Sequence, residues 1–171
     1  MKRVLAILME NQSGALSRVV GLFSQRGYNI ESLIVAPTKD PSLSRLTMST
    51  SGDEKVIQQI TKQLNKLIDV VKVIDLSESD FSESELMILK LSKNEKTIDK
   101  AKELGGSVIF EDEAFINVEF MGTSGDIDKI LSSLDGKDLL ELVRTGVLGL
   151  SANAKTRSEE RRVGKECRSR W

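Results

Sequence analysis

Nowhere does the chain carry a histidine. That absence removes Ser-His-Asp triads, Cys-His couples and the commonest zinc ligand. Cysteine occurs once, as Cys167, so no disulfide can close within the chain. The two prolines, Pro37 and Pro41, fall in one short turn. No sign of charge dominates: 25 Lys and Arg face 26 Asp and Glu, for a net charge of −1. A basic surface for nucleic acid is therefore not expected. No apolar run approaches the roughly 20 residues that span a bilayer. The start, Met1-Lys2-Arg3-Val4, runs straight into a strand-like segment and does not read as a signal peptide. These absences point to a cytoplasmic protein, or one whose targeting segment lies outside this sequence, with no membrane partner. The acidic run Glu111-Asp112-Glu113 reads as a solvated turn, and no metal site is expected.

What is present is most informative over Glu10–Pro37, ENQSGALSRVVGLFSQRGYNIESLIVAP. An apolar run, Val4–Met9, precedes it. A turn of small and amide residues, Asn11-Gln12-Ser13-Gly14, opens a helix over 15–25. Leu16, Val19, Val20 and Phe23 fall on one face of that helix, at i, i+3, i+4 and i+7. The helix ends at Arg26-Gly27, and a second apolar run, Ile30–Ala36, follows. A helix start with so little side-chain bulk leaves backbone N–H groups free, and the helix dipole favours a negative charge there. It suits a small anion such as a ligand carboxylate; it also suits a plain helix cap. The return segment Gly27-Tyr28-Asn29-Ile30 brings a second amide to the start of the next strand. If that end lies near the first turn of a neighbouring subunit, Asn11 and Asn29 can bracket one ligand.

The first half parses as strand, helix, strand, strand, helix, strand, with strands at about 4–9, 30–36, 43–50 and 70–76. Strand one is apolar on both faces, so its second face needs a cover from a second domain or a second subunit. Residues 78–84, rich in Ser, Glu and Asp, read as a linker. The second half repeats the element order over 85–152. The expected fold class is α+β: two ferredoxin-like βαββαβ sandwiches, 1–77 and 85–152. The remainder, 153–171, is crowded with Arg, Lys and Glu and lacks periodicity; it reads as a disordered tail, foreign to the native protein.

Other constellations are weaker. Gly122-Thr123-Ser124-Gly125 lacks the lysine and spacing of a phosphate loop and reads as a helix cap. Glu83 and Glu85 sit beside a linker, with no cleft to make them an acid and base. An RNA-recognition module of this topology needs aromatic residues on its central strands, where Val, Leu, Ile and Ala stand instead. An acylphosphatase-like enzyme needs an arginine in the loop after strand one, which Glu10–Gly14 does not supply.

Residues 3–76 closely resemble the ACT domain of the small, regulatory subunits of acetolactate synthase (acetohydroxyacid synthase). The segments that carry the resemblance are Asn11–Val19, Phe23–Leu33, Val35–Thr38 and Leu43–Arg45. The second half agrees more loosely, through Met121–Gly125 and Arg144–Ser151. The resemblance implies a non-catalytic subunit of a transferase. Such a subunit binds the large catalytic subunit, raises its activity and confers feedback inhibition by valine in branched-chain amino-acid biosynthesis. Thiamine diphosphate, magnesium and FAD are implied only for the catalytic subunit, and no cofactor for this chain. The resemblance further implies a homodimer whose sheets join through the ACT domains. Valine then binds between Asn11, Gly14 and Ala15 of one chain and Asn29 and Ile30 of the other. A free-standing amino-acid sensor with another client is the alternative; an enzyme in its own right is a third, which the missing histidine disfavours.

Overall fold

The computed structural model describes residues 2–152. The tail expected over 153–171 lies outside the described residues. The chain divides into two compact units. The first runs to Ser82 and includes the described residues from Gly149; the second spans Glu83–Leu148.

The first unit starts with β1 (Lys2–Glu10), α1 (Ala15–Gln25), β2 (Ile30–Pro37) and β3 (Leu43–Ser51). It continues with α2 (Glu54–Leu64) and β4 (Val70–Asp75). The sheet order is β2-β3-β1-β4 and every neighbouring pair is antiparallel. Because β1 and β2 both run antiparallel to β3, they are parallel to each other, as a crossover helix requires. Leu5, Ile7, Leu46 and Met48 are buried against Val19 and Phe23 of α1 and Ile57, Ile60 and Leu64 of α2. Burying each such side chain is worth about 1.5–3 kcal/mol. Asp53 caps α2 by accepting from the Val56 N–H at 2.8 Å.

One sequence expectation changes here. Leu16 does not lie on the buried stripe of α1: Ala15, Val19 and Phe23 are buried, and Leu16 is exposed. The stripe follows i, i+4, i+8, one residue round from the expected line. The opposite face of β1, expected to need a cover from a second domain or a second subunit, is covered. Val4, Ala6 and Leu8, with Thr47 and Ser49 beside them, are buried within the single chain. Within the first unit the Val4 N–H donates to Ser77 Oγ at 2.9 Å, and Arg45 donates to the Gly149 carbonyl at 3.0 Å.

The expected linker over 78–84 is largely structured. A single 3-10 turn covers Leu76–Glu78, and β5 (Phe81–Ser92) begins three residues later. The second unit repeats the plan with α3 (Glu95–Glu103), β6 (Ser107–Glu111), β7 (Phe115–Gly122), α4 (Ser124–Ser133) and β8 (Leu139–Arg144). Its order, β6-β7-β5-β8, is the same permutation. Leu148–Ser151 forms β9 and pairs with β5. Both units are therefore ferredoxin-like. Thr123 caps α4 through the Asp126 N–H at 3.2 Å, so Gly122–Gly125 serves as a helix start.

Gly106 shows how tightly the second core is packed. A Cβ there would stand 2.5 Å from Val118 Cγ1 and 2.7 Å from the Phe120 ring, both fully buried side chains. Gly106→Ala should destabilise the protein by about 1–3 kcal/mol through overpacking. Urea denaturation followed by circular dichroism measures this; an unchanged midpoint would show that the core can yield.

Candidate effector site

The turn after β1 is tied down on three sides. The Asn11 N–H donates to the Ser42 carbonyl at 2.7 Å, and Asn11 Nδ2 donates to the Pro41 carbonyl at 2.9 Å. A carbonyl can only accept, so the Asn11 amide presents its nitrogen to Pro41 and leaves Oδ1 free as an acceptor. Gln12 Nε2 donates to both Glu10 Oε2, at 2.8 Å, and Asp69 Oδ1, at 2.6 Å. Asp69 is 2% exposed. Its second oxygen accepts from Arg18 Nε at 2.7 Å, and its carbonyl accepts from the Glu10 N–H at 2.9 Å.

These ties hold Gly14 at φ 88°, the left-handed region. Gly14 stands at the N-cap of α1 with no side-chain cap. The Ala15 N–H donates back to the Gln12 carbonyl at 3.2 Å. Ala15, the first residue of α1, is buried. Among the described residues, the N–H groups of Gly14, Leu16 and Ser17 have no protein acceptor. The exposed Leu16 lies beside them.

Asn29 and Ile30 stand elsewhere. Asn29 is exposed; its carbonyl accepts from Thr50 Oγ1 at 2.6 Å. Ile30 is half-buried against the first core and pairs with Thr50. At the other end of the sheet Ser44 faces both Pro37 of β2 and Met9 of β1. Asn29 therefore lies at one end of the sheet and Asn11 at the other, roughly 25 Å apart at strand rise. One chain does not bring the five residues together. Asn11, Gly14 and Ala15 form one group; Asn29 and Ile30 form the second.

β2 is an edge. β3 pairs with it on one side, and no strand pairs with the other among the described residues. Leu33, Ile34, Val35 and Ala36 line that edge, with Glu31 the sole charge in the strand. An apolar edge of eight residues invites pairing.

Two residues of this region escaped the sequence reading: Asp69, in the short connection before β4, and Arg18. A signal existed. A cation in the first turn of a helix opposes the dipole and calls for a nearby carboxylate. The acidic residues that were weighed, Glu83 and Glu85, have structural roles. Glu83 accepts from the Ser124 N–H at the start of α4, and buried Glu85 accepts from Arg144 Nε at 2.6 Å. That bond to Glu85 raises the Arg144 guanidinium further above its ordinary value.

Fold and turn together define a domain of the ACT type, in which a bare helix start follows the first strand of a ferredoxin-like sheet. The model of the AHAS small subunit-like ACT domain matches residues 5–72, and that of the small subunit of acetolactate synthase matches 84–153. The chain is 49% identical over 160 residues to the acetolactate synthase isozyme 3 small subunit of Escherichia coli (strain K12), covering 91% of this chain and 98% of that one. It is 44% identical to the acetolactate synthase small subunit of Haemophilus influenzae, with the same coverage of 91% and 98%. The crystal structure of the small subunit from Thermotoga maritima superposes with a TM-score of 0.80 at 29% identity, covering 88% of this chain and 96% of that one. The chain belongs to the family of acetolactate synthase small subunits.

Asp69→Ala should lower stability by about 1–3 kcal/mol, because two hydrogen bonds to a charged group are lost while Gln12 and Arg18 regain water. Amide hydrogen exchange should quicken over residues 12–18 and stay unchanged in the second unit. Equal protection of the turn in both proteins would show that Asp69 does not hold it.

Proposed function

We propose that this chain is the regulatory subunit of acetolactate synthase. It binds the thiamine-diphosphate-dependent catalytic subunit, raises its activity and makes it sensitive to valine. It works in the cytoplasm and carries no cofactor of its own; thiamine diphosphate, magnesium and FAD belong to the catalytic subunit. The single observation that carries the effector part is the placement of two amide-bearing turns at opposite ends of a sheet with an open β2 edge.

Pairing β2 with the β2 of a second copy about a two-fold axis runs the two strands antiparallel. The Ile30 end of one strand then meets the Pro37 end of the other. Pro37 lies at the same end of the sheet as Met9 and the Asn11 turn. The dimer thus brings Asn29 and Ile30 of one chain toward Asn11, Gly14 and Ala15 of its partner, twice. The valine carboxylate takes backbone N–H groups at Gly14 and the first turn of α1. Its ammonium takes the free amide oxygens of Asn11 and Asn29. Its isopropyl group packs beside Leu16 and the half-buried Ile30. Ala15 shapes the turn through its bond to Gln12 rather than donating to the ligand. Because two chains build each site, valine shifts the arrangement of the dimer. A coupling of about 1–3 kcal/mol is typical for passing such a change to a partner.

Gly14→Asp tests this reading in a reconstituted acetolactate assay with the large subunit. Asp tolerates the left-handed backbone better than most residues, so the turn survives. A carboxylate there takes the ligand's place against the free N–H groups. Binding at a dissociation constant of about 10–100 µM is worth about 5–7 kcal/mol, and a like charge costs several of these. Activation should persist and valine inhibition should vanish. Inhibition of the variant at the wild-type valine concentration would place the effector elsewhere; no activation even by the wild type would point to a sensor with another client.

A further inference from the structure

Among the described residues Arg18 is the guanidinium beside the turn, and only one of its edges is used. Its Nε donates to the buried Asp69 carboxylate at 2.7 Å. Its two outer nitrogens donate to no acceptor among the described residues, and the side chain is 47% exposed. Those nitrogens lie over Gly14. A Cβ built on Gly14 would stand 3.6 Å from Nη1 and 3.9 Å from Nη2. The fork therefore has one edge anchored and the other held open above the backbone that the ligand must approach.

The charge arrangement is otherwise hard to justify. Arg18 sits one turn from the N-terminus of α1, where the dipole repels a cation. Asp69 offsets part of that cost, but a half-exposed arginine could as easily turn outward into water. Instead the carboxylate fixes it at the bare helix start. Among the described residues two carboxylates stand by this turn, Glu10 at the end of β1 and Asp69 just before β4, and Gln12 donates to one oxygen of each. What remains open is a planar pair of N–H donors beside unpaired backbone N–H groups, a set that matches a carboxylate in two-point contact.

We infer that Arg18 is the residue of this site that reads the carboxylate of an α-amino-acid effector, with Asp69 as its positioning residue. The inference rests on the effector reading above and adds the charged residue that the amide and backbone contacts lack. It also gives a second reason to expect Gly14→Asp to abolish binding: the new carboxylate would satisfy the open edge of Arg18 from within the chain.

The test is calorimetric titration of the full chain with valine and with valinamide, which keeps the side chain and ammonium but has no carboxylate. Three proteins are compared: wild type, Arg18→Gln, and Arg18→Gln with Asp69→Asn. The double variant pairs two neutral amides, so no buried charge is left unpartnered. Valine binding should weaken about ten- to hundred-fold in both variants, the range for a lost charge-assisted bond. Valinamide, wherever it binds, should not distinguish the three. Recovery of valine affinity in the double variant would reduce Arg18 to a counter-ion for Asp69 and overturn the inference. So would equal losses for valine and valinamide, or a variant that binds valine as wild type does. A wild type that binds no valine would overturn the effector reading itself.

Discussion

The parallel course of β1 and β2 is the constraint from which the rest follows. A helix must carry the chain back across the sheet between them, and β3 then fills the gap. The turn that leaves β1 and the turn that enters β2 are forced to opposite ends of the sheet, as the pairing of Ser44 with Met9 and Pro37 and of Thr50 with Ile30 records. No side-chain substitution could bring Asn11 and Asn29 together within one copy. A ligand held by both must therefore be held by two chains, and its binding must report on how they are arranged. On the proposed reading, such a sensor needs no moving part inside the domain; the strand order couples occupancy to assembly.

The second requirement is a helix start left bare without coming undone. Most helices cap themselves with a side chain, as Asp53, Asn94 and Thr123 do here. α1 does not. Its stability comes instead from the buried face of Ala15, Val19 and Phe23, and from Asp69 beneath the turn. A cap at Gly14 would have stabilised the helix by about 1 kcal/mol and closed the donors to any ligand. The turn gives up that local gain, and one carboxylate from a distant part of the sequence restores its rigidity.

Much of this was legible in the sequence because local chemistry and tertiary structure agree. The helix over 15–25 has the expected bounds, since its turn, apolar period and Arg26-Gly27 stop all favour the same segment. Leu16 was misplaced because alanine is too small to mark a core line by hydrophobicity, so Ala15 was passed over. The stretch 78–84 looked like a linker because its acids are polar in composition. The partner of Glu83, the Ser124 N–H at the start of α4, lies 41 residues away in sequence, and the partner of the adjoining Glu85, Arg144, lies 59 away. β9 was hidden by Gly149, whose missing side chain lets Leu76 approach; a Cβ there would meet Leu76 Cδ1 at 2.5 Å. Asp69 was invisible for the same reason as the acids of β5: nothing near it in sequence explains it. Periodicity reads contacts three or four residues apart, and these are contacts of long range.

The claim at the centre of this account is that each effector site is built from two chains. Mixing a Gly14→Asp chain with an Asn29→Phe chain tests it directly, by counting valine sites calorimetrically after subunit exchange. Neither variant should bind valine alone. A mixed dimer carries both lesions in one site and leaves the other intact. With random exchange, roughly one quarter of the wild-type number of sites should return. A site contained within a single chain would stay broken in every dimer, and a mixture that binds no valine after exchange would contradict the account.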